Sequence, residues 1–108
     1  MRSSEDFRAT VRRGAKAARP TLVAHVVLPA DGEADAETSV GLVVSRSVGS
    51  AVARNRVKRR LRHLMRDRLS DVPRGARVVV RALPAASLAS STSLADDLDQ
   101  ALRRAGAR

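Results

Sequence analysis

Residues 54–68 read Arg54-Asn55-Arg56-Val57-Lys58-Arg59-Arg60-Leu61-Arg62-His63-Leu64-Met65-Arg66-Asp67-Arg68, and eight of these fifteen side chains are Lys or Arg. The apolar members of the run are Val57, Leu61, Leu64 and Met65. Their spacing of i, i+4, i+7 and i+8 places one apolar stripe along a helix. The run is therefore predicted to be a helix of a folded domain, with one buried face and one basic face.

The start of this helix and the position of its charges can be inferred from the same residues. Ser50 follows Gly49 and offers a hydroxyl that accepts a free backbone N–H, so we expect the helix to run from residue 50 to residue 69. At about 100° per residue, Arg59, Arg62 and Arg66 fall together opposite the apolar stripe. An ordinary solvated helix surface mixes both signs of charge, whereas this surface is positive, which favours a nucleic-acid partner.

The composition limits the classes of protein that fit. With 108 residues and a formal charge of +10, the chain is predicted to be a single nucleic-acid-binding domain over residues 1–108. No apolar stretch approaches the roughly 20 residues of a membrane span, and no secretory signal is visible, so we expect a cytoplasmic protein without a membrane partner. No obligatory protein partner is expected either. The chain has no cysteine, and Phe7 is its only aromatic residue, which excludes thiolate metal sites and a sheet surface that stacks several bases.

The chain before the basic helix is predicted to hold a helix and two strands. The first helix begins near Ser3 and carries Phe7, Val11 and Ala15 on one side. Residues 21–28 are apolar on both faces, as in a central strand, and residues 30–38 form an acidic flexible loop. Residues 39–47 form a second strand with Arg46 near its end.

The chain after the basic helix is predicted to hold a third strand at residues 76–82 and a closing helix. Ser93 and Asp96 are expected to cap this helix, in which Leu94, Leu98 and Leu102 recur every four residues. The predicted order is α, β, β, a further strand, α, β, α. This order is an α+β fold, a small α/β sandwich with helices packed on a central sheet.

Two consecutive segments resemble a known family. They read Val40-Gly41-Leu42-Val43-Val44-Ser45-Arg46 and Val48-Gly49-Ser50-Ala51-Val52-Ala53-Arg54-Asn55-Arg56-Val57-Lys58-Arg59. They resemble the signature of the bacterial ribonuclease P protein component, whose hallmark is Arg-Asn-Arg at the opening of a basic helix. The Asp6-Phe7 pair, Val11, Gly14 and a third strand ending in Arg81 also follow the family order. The resemblance implies an αβββαβα fold of the ribosomal protein S five domain-two type, with a left-handed crossover through the basic helix.

The resemblance further implies a protein subunit of a ribonucleoprotein endonuclease that removes the 5′ leader from precursor tRNA. Its partners would be the catalytic ribonuclease P RNA and precursor tRNA, and the RNA would perform the chemistry with Mg²⁺ that it mainly holds itself. The residues agree with a non-catalytic protein, because His25 and His63 stand far apart and no carboxylate pair or ligand cluster is visible. His25 is expected in the sheet or core, and His63 is either a phosphate donor or part of a polar face.

The resemblance also implies roles for individual residues. Contacts with the RNA subunit are implied for Arg46, Arg54, Asn55, Arg56, Lys58, Arg59, Arg62 and Arg66. A cleft for the single-stranded leader is implied for Phe7, Val11 and Arg12, although the spacing of Phe7 and Val11 fits ordinary core packing equally well. Asn55 adds no charge, so it is expected either to contact a phosphate or to fix the helix start as a cap.

The sequence departs from the family pattern in three ways, and three other classes of protein are alternatives to the family. Ser47 stands where a second basic residue is usual, and Val11 is commonly aromatic in the family, so fewer RNA and leader contacts are expected. The basic segment that usually precedes the first helix is short here, so either the start is truncated or its contacts are missing. A ribosomal or RNA-chaperone protein would share the charge without stimulating leader cleavage. A DNA-binding helix protein is disfavoured, because neither a helix-turn-helix pattern nor a dimerisation heptad is present. An autonomous nuclease would cleave precursor tRNA without any RNA subunit.

Overall fold

The computed structural model describes residues 15–29 and 37–106. In chain order these residues form strands β1 (Ala15–Ala18), β2 (Leu22–Val27) and β3 (Ser39–Val43), helix α1 (Ala51–Arg68), strand β4 (Arg77–Ala82) and helix α2 (Ser91–Arg104). Short 3₁₀ turns lie at Arg46–Val48, Leu69–Asp71 and Pro84–Ser87. The predicted first helix and residues 30–36 of the predicted acidic loop lie outside the described residues.

Within the described residues, the four strands form one sheet in the order β1-β2-β4-β3. Strand β2 pairs antiparallel with both β1 and β4, and β3 pairs parallel with β4. Helix α1 connects those two parallel strands, and β1 and β3 are the edges. The α+β class is confirmed, and the described part of the predicted αβββαβα order reads βββαβα. The handedness of the crossover stays a prediction. No helix in the described ranges is long and apolar enough to cross a membrane.

The core lies between one face of the sheet and the two helices. Leu22, Ala24 and Val26 of β2 belong to it, because alternate strand residues point to the same face. The helices contribute Val57, Leu61 and Met65 from α1 and Leu94, Leu98 and Leu102 from α2. On the other face of the sheet, Val23, His25 and Val79 are also buried. The prediction that residues 21–28 form a central strand, apolar on both faces, is therefore confirmed for β2.

A buried carboxylate joins α2 to the start of β2. Asp97 accepts hydrogen bonds from the backbone N–H of Thr21 at 3.1 Å and from its hydroxyl at 2.7 Å. The Nε of Arg19 lies 3.5 Å from the other carboxylate oxygen. A buried carboxylate is stable only when such donors satisfy it, so these contacts fix the position of α2 on the sheet.

The additional strand lies elsewhere than predicted. The predicted order placed it after the second predicted strand, whereas the chain there forms a 3₁₀ turn and the additional strand is β1, before β2. Ala15, which was predicted to lie on the apolar side of the first helix, belongs to β1 and pairs with Val26. The sequence Ala-Lys-Ala-Ala has no strand preference of its own, so pairing with β2 decides its conformation.

Two predicted boundaries are also wrong. Strand β3 ends at Val43, so Arg46 lies in the following turn and not in a strand. Helix α2 begins earlier than the Ser93–Asp96 pair suggested: Ser90 is its N-cap, and the Ser90 hydroxyl accepts a hydrogen bond from the Ser93 N–H at 3.0 Å. Because residues 90–93 are all Ser or Thr, each could serve as a cap, and the sequence alone does not distinguish Ser90 from the predicted Ser93.

Candidate nucleic-acid interface

A glycine and a serine set the start of the basic helix α1. Gly49 has a φ of 148°, a backbone conformation that favours glycine, and a side chain there would also meet the Cβ of Ala53 at 3.2 Å. The Ser50 hydroxyl then accepts a hydrogen bond from the Ala53 N–H at 3.2 Å, which confirms the predicted N-cap. The chain therefore turns sharply out of the β3 side of the sheet and enters α1 in a defined orientation.

The outer side of α1 is cationic, as predicted. Asn55, Lys58, Arg59, Arg62 and Arg66 are all exposed, and we call these five residues the open basic face. Within the described part of the chain, none of the five side chains has a hydrogen bond or an ion pair. The open basic face thus presents four positive charges and one amide whose bonding capacity is available to a partner.

A second group of α1 cations is bonded to the protein, and we call Arg56, Arg60 and Arg68 the anchored arginines. Arg56 donates to the carbonyl of Ser87 and Arg60 to the carbonyl of Ala89, both at 3.4 Å. Arg68 makes the strongest contacts of the group. It donates through Nε and Nη2 to the two carboxylate oxygens of Asp99, at 2.6 and 3.3 Å, and through Nη1 to the Leu64 carbonyl at 3.0 Å.

The Arg68–Asp99 pair joins the end of α1 to α2. The hydrogen bond that Arg68 donates to the Asp99 carboxylate raises the pKa of the Arg68 guanidinium, so this cation stays charged. The two side chains are 16% and 33% exposed, so water screens the pair only in part. The charge of Arg68 is therefore largely engaged within the fold.

Arg54 and Arg46 flank the open basic face without belonging to it. Arg54 is half-buried, and its Nε is shielded from water without a hydrogen-bond partner among the described residues. Arg46 is exposed in the turn Arg46–Val48, next to a hydrogen bond of 2.8 Å between the hydroxyls of Ser45 and Ser47. Ser47, in place of a second basic residue, therefore stabilises the turn that leads to α1.

The structure also decides one open alternative and locates the two histidines. Asn55 does not cap the helix, because Ser50 does and Asn55 lies within α1 with an exposed side chain. His63 is exposed beside the open basic face. His25 is buried in β2, as expected, and its pKa is lowered by desolvation and by the positive charges of Arg81 and Lys16.

The described residues do not offer a metal site. Within residues 15–29 and 37–106, no group of three or more His, Cys, Asp or Glu side chains is placed to hold a metal ion. The described side chains therefore do not supply the hard oxygen ligands in near-octahedral geometry that Mg²⁺ takes. The predicted leader contacts at Phe7, Val11 and Arg12 lie outside the described residues.

Sequence reasoning missed the division of the α1 cations into two groups. Arg60 and Arg68 are as basic as their neighbours, and their partners Ala89 and Asp99 lie 29 and 31 residues further along the chain. Helical periodicity gives the angular position of a side chain and does not identify acceptors on another element. For Arg68, its place on the side of the apolar stripe was the one available signal.

The fold and this surface together define a class of protein. The chain is a small α+β protein that presents one exposed cationic helix, which is the arrangement of a protein that binds the phosphate backbone of a nucleic acid. The family model Ribonuclease P matches residues 1–106. The chain belongs to the ribonuclease P protein family.

Individual relatives and solved structures agree with this assignment. The ribonuclease P protein component of Streptomyces avermitilis is 54% identical over 109 residues, covering 96% of this chain and 89% of the relative. The ribonuclease P protein component of Nocardioides sp. is 50% identical over 107 residues, covering 99% of this chain and 91% of the relative. The RNase P protein of Staphylococcus aureus superposes with a TM-score of 0.82 at 22% identity, covering 98% of this chain and 94% of the other. The RNase P protein of Thermotoga maritima superposes with a TM-score of 0.79 at 24% identity, covering 96% of this chain and 94% of the other. At these low identities, the two structures support the fold alone.

Proposed function

We propose that this chain is the RNA-binding protein subunit of ribonuclease P and assists the RNA subunit in removing the 5′ leader from precursor tRNA. Membership of the family supports this role, and the open basic face is the observation that carries the mechanism. Its cations lie on a rigid helix whose orientation is fixed by the Ser50 cap and by the buried Val57, Leu61 and Met65. A polyanion can therefore be bound with little loss of conformational freedom in the protein backbone.

The side chains of α1 are proposed to act in two ways. Lys58, Arg59, Arg62 and Arg66 neutralise phosphates of the RNA subunit and release bound counterions, which drives binding at low salt. Asn55 adds no charge and instead orients the RNA backbone through its amide. Arg54, Arg56 and Arg46 are proposed to extend this contact at the start of α1, with one N–H of Arg56 already engaged by Ser87.

The chemistry is proposed to belong to the RNA subunit. Mg²⁺ held mainly by RNA phosphates would supply the activated water and stabilise the leaving oxygen. The protein residues contribute binding, orientation and charge neutralisation, which lowers the Mg²⁺ concentration that the RNA needs to fold and bind substrate. Phe7, Val11 and Arg12 are proposed to contact the single-stranded leader. We propose that the protein acts in the cytoplasm and has no obligatory protein partner.

The test is cleavage of precursor tRNA by a bacterial ribonuclease P RNA at low Mg²⁺, with and without the purified protein. We expect the protein to stimulate cleavage and the Arg54→Ala, Arg56→Ala double variant to lose most of the stimulation. The matched control is Arg103→Ala, Arg104→Ala, which removes the same charge from exposed positions at the end of α2 and should retain the stimulation.

The other outcomes identify the rival classes. Tight RNA binding without stimulation would favour a ribosomal or RNA-chaperone protein. Preference for duplex DNA over precursor tRNA in competition would favour a DNA-binding protein. Cleavage by the protein alone in the presence of Mg²⁺ would overturn the assignment of the chemistry to the RNA.

A further inference from the structure

A groove runs beside the open basic face, between α1 and the edge strand β3. It has a volume of about 280 Å³ and is lined by Val40, Leu42, Met65 and Leu69 together with Arg62 and Arg66. The apolar residues form its walls, and two cations of the open basic face complete its lining. The groove therefore combines an apolar surface with positive charge within the space of a few side chains.

The apolar walls are left partly open to solvent. Val40 and Leu42 pack against the core from the side of β3 that faces α1, yet both are only half-buried. Leu69, just beyond the end of α1, is 41% exposed. Since β3 ends the sheet in the described part of the chain, no further strand there covers this side. The groove therefore leaves apolar side chains accessible beside two cations.

The two arginines restrict the chemistry of that ligand. Arg62 and Arg66 are one helical turn apart, so both guanidinium groups can reach one anionic group. Neither is engaged by another described residue. The ligand therefore carries a negative charge next to a flat or compact apolar group, which is the chemistry of a nucleotide with its phosphate and base.

Size and continuity select an unpaired nucleotide over a peptide. The volume of about 280 Å³ lies just below the roughly 300 Å³ at which ligand pockets begin, so the groove suits a group no larger than a single base. The groove is continuous with the open basic face, since Arg62 and Arg66 belong to both, and that face is the proposed contact with the RNA backbone. A base can leave the backbone and enter the groove only where the RNA is unpaired, because paired bases stay stacked.

We propose that the groove binds the base of one unpaired nucleotide of the RNA, with Arg62 and Arg66 holding its phosphate. This inference rests on the proposed function and makes it more specific. Val40, Leu42, Met65 and Leu69 take the part that aromatic side chains play in other RNA-binding surfaces, because apolar side chains and guanidinium planes also accept a splayed base. α1 then contributes a base contact in addition to backbone contacts.

Methyl NMR on the full chain tests the proposal with two matched probes, adenosine monophosphate and ribose 5-phosphate, which lacks the base. We expect adenosine monophosphate to move the methyl signals of Met65 and Leu69 upfield through the ring current, while ribose 5-phosphate leaves them in place. The Leu69→Ala variant should bind adenosine monophosphate about fivefold more weakly. The control Leu88→Ala, at a leucine that is 92% exposed and does not line the groove, should bind it normally.

Equal methyl shifts with both probes, or none with adenosine monophosphate, would overturn the proposal. Shifts that grow with protein concentration before any nucleotide is added would also overturn it and would identify a second copy of the chain as the occupant. Leader cleavage at low Mg²⁺, measured on the same samples, distinguishes a failure of the groove proposal from a failure of the proposed function. Stimulated cleavage without base-specific shifts would reject the groove alone, whereas absence of both would reject the proposed function as well.

Discussion

The open basic face and the anchored arginines lie on one helix and differ in what they contact. Arg59, Arg62 and Arg66 have no partner in the described part of the chain, whereas Arg68 donates to both oxygens of Asp99 and to the Leu64 carbonyl. An arginine that is bonded to the fold contributes to stability, and one whose donors are unused is available to a phosphate. The comparison teaches that a basic helix is not uniformly an RNA-binding surface.

The largest effect is expected for the triple variant Arg59→Gln, Arg62→Gln, Arg66→Gln on the open basic face. Each lost phosphate contact removes a counterion-release term, so affinity for the ribonuclease P RNA should fall on the order of 100-fold at about 0.1 M salt. Filter binding measures the affinity, and urea unfolding should show an unchanged free energy. A comparable loss of stability would erase the distinction between the two groups.

The next effect concerns the anchored arginines. Arg68→Ala leaves Asp99 without its partner at a partly shielded position, so the free energy of unfolding should fall by about 2 kcal/mol while RNA affinity stays within about twofold. Urea unfolding of Arg68→Ala, Asp99→Ala and the double variant gives the coupling energy. Additive effects of the two single changes would show that the pair does not stabilise the fold.

A smaller effect is expected at Arg56, which is both an anchored arginine and a proposed phosphate contact. Its contact with the Ser87 carbonyl is long, at 3.4 Å, so Arg56→Ala should change the free energy of unfolding by less than about 0.5 kcal/mol. Its proposed phosphate contact predicts roughly a fivefold loss of RNA affinity. Arg60→Ala, at the other long contact, is the control and should leave RNA affinity unchanged. Equal affinities of both variants would remove Arg56 from the proposed interface.

The smallest effect is a dependence of the free energy of unfolding on pH. We attribute it to the buried His25 and not to the exposed His63. Burial lowers the pKa of His25 in the folded protein, so the unfolded chain binds a proton first as the pH falls. The free energy of unfolding should therefore decrease as the pH falls through about 6.5, and level off below the folded pKa. Urea unfolding from about pH 7.5 to about pH 5.5 measures this decrease. His63→Gln should keep it and His25→Gln should reduce it. A decrease that follows His63 instead would contradict the explanation.

The sequence predicted the parts of the fold that depend on local periodicity. The buried stripe Val57, Leu61 and Met65, the Ser50 cap and the exposed Arg59, Arg62 and Arg66 are all confirmed. The spacing of Leu94, Leu98 and Leu102 also predicted the buried side of α2 correctly. In these cases, the side chains that carry the signal are neighbours on the same helix, so the pattern contains the necessary information.

The features that the sequence did not predict depend on contacts between distant residues. Strand β1 forms because Ala15–Ala18 pairs with β2, and the Asp97 contact with Thr21 spans 76 residues. The turn that carries Arg46 depends on Gly49, whose N–H donates to the Arg46 carbonyl at 3.2 Å, and this turn replaced the predicted end of the second strand. Local propensity is weak at each of these places, and tertiary pairing decides the outcome.

The most direct test of the central claim compares two triple variants that remove equal charge. One is Arg59→Gln, Arg62→Gln, Arg66→Gln, and the other is Arg74→Gln, Arg103→Gln, Arg104→Gln, at exposed positions that do not belong to α1. Affinity for the ribonuclease P RNA is measured against salt concentration. The account predicts that the slope of log K against log salt falls by about 2 for the first variant and by less than about 0.5 for the second. Equal slopes would show that net charge alone governs binding and would contradict a specific interface on α1.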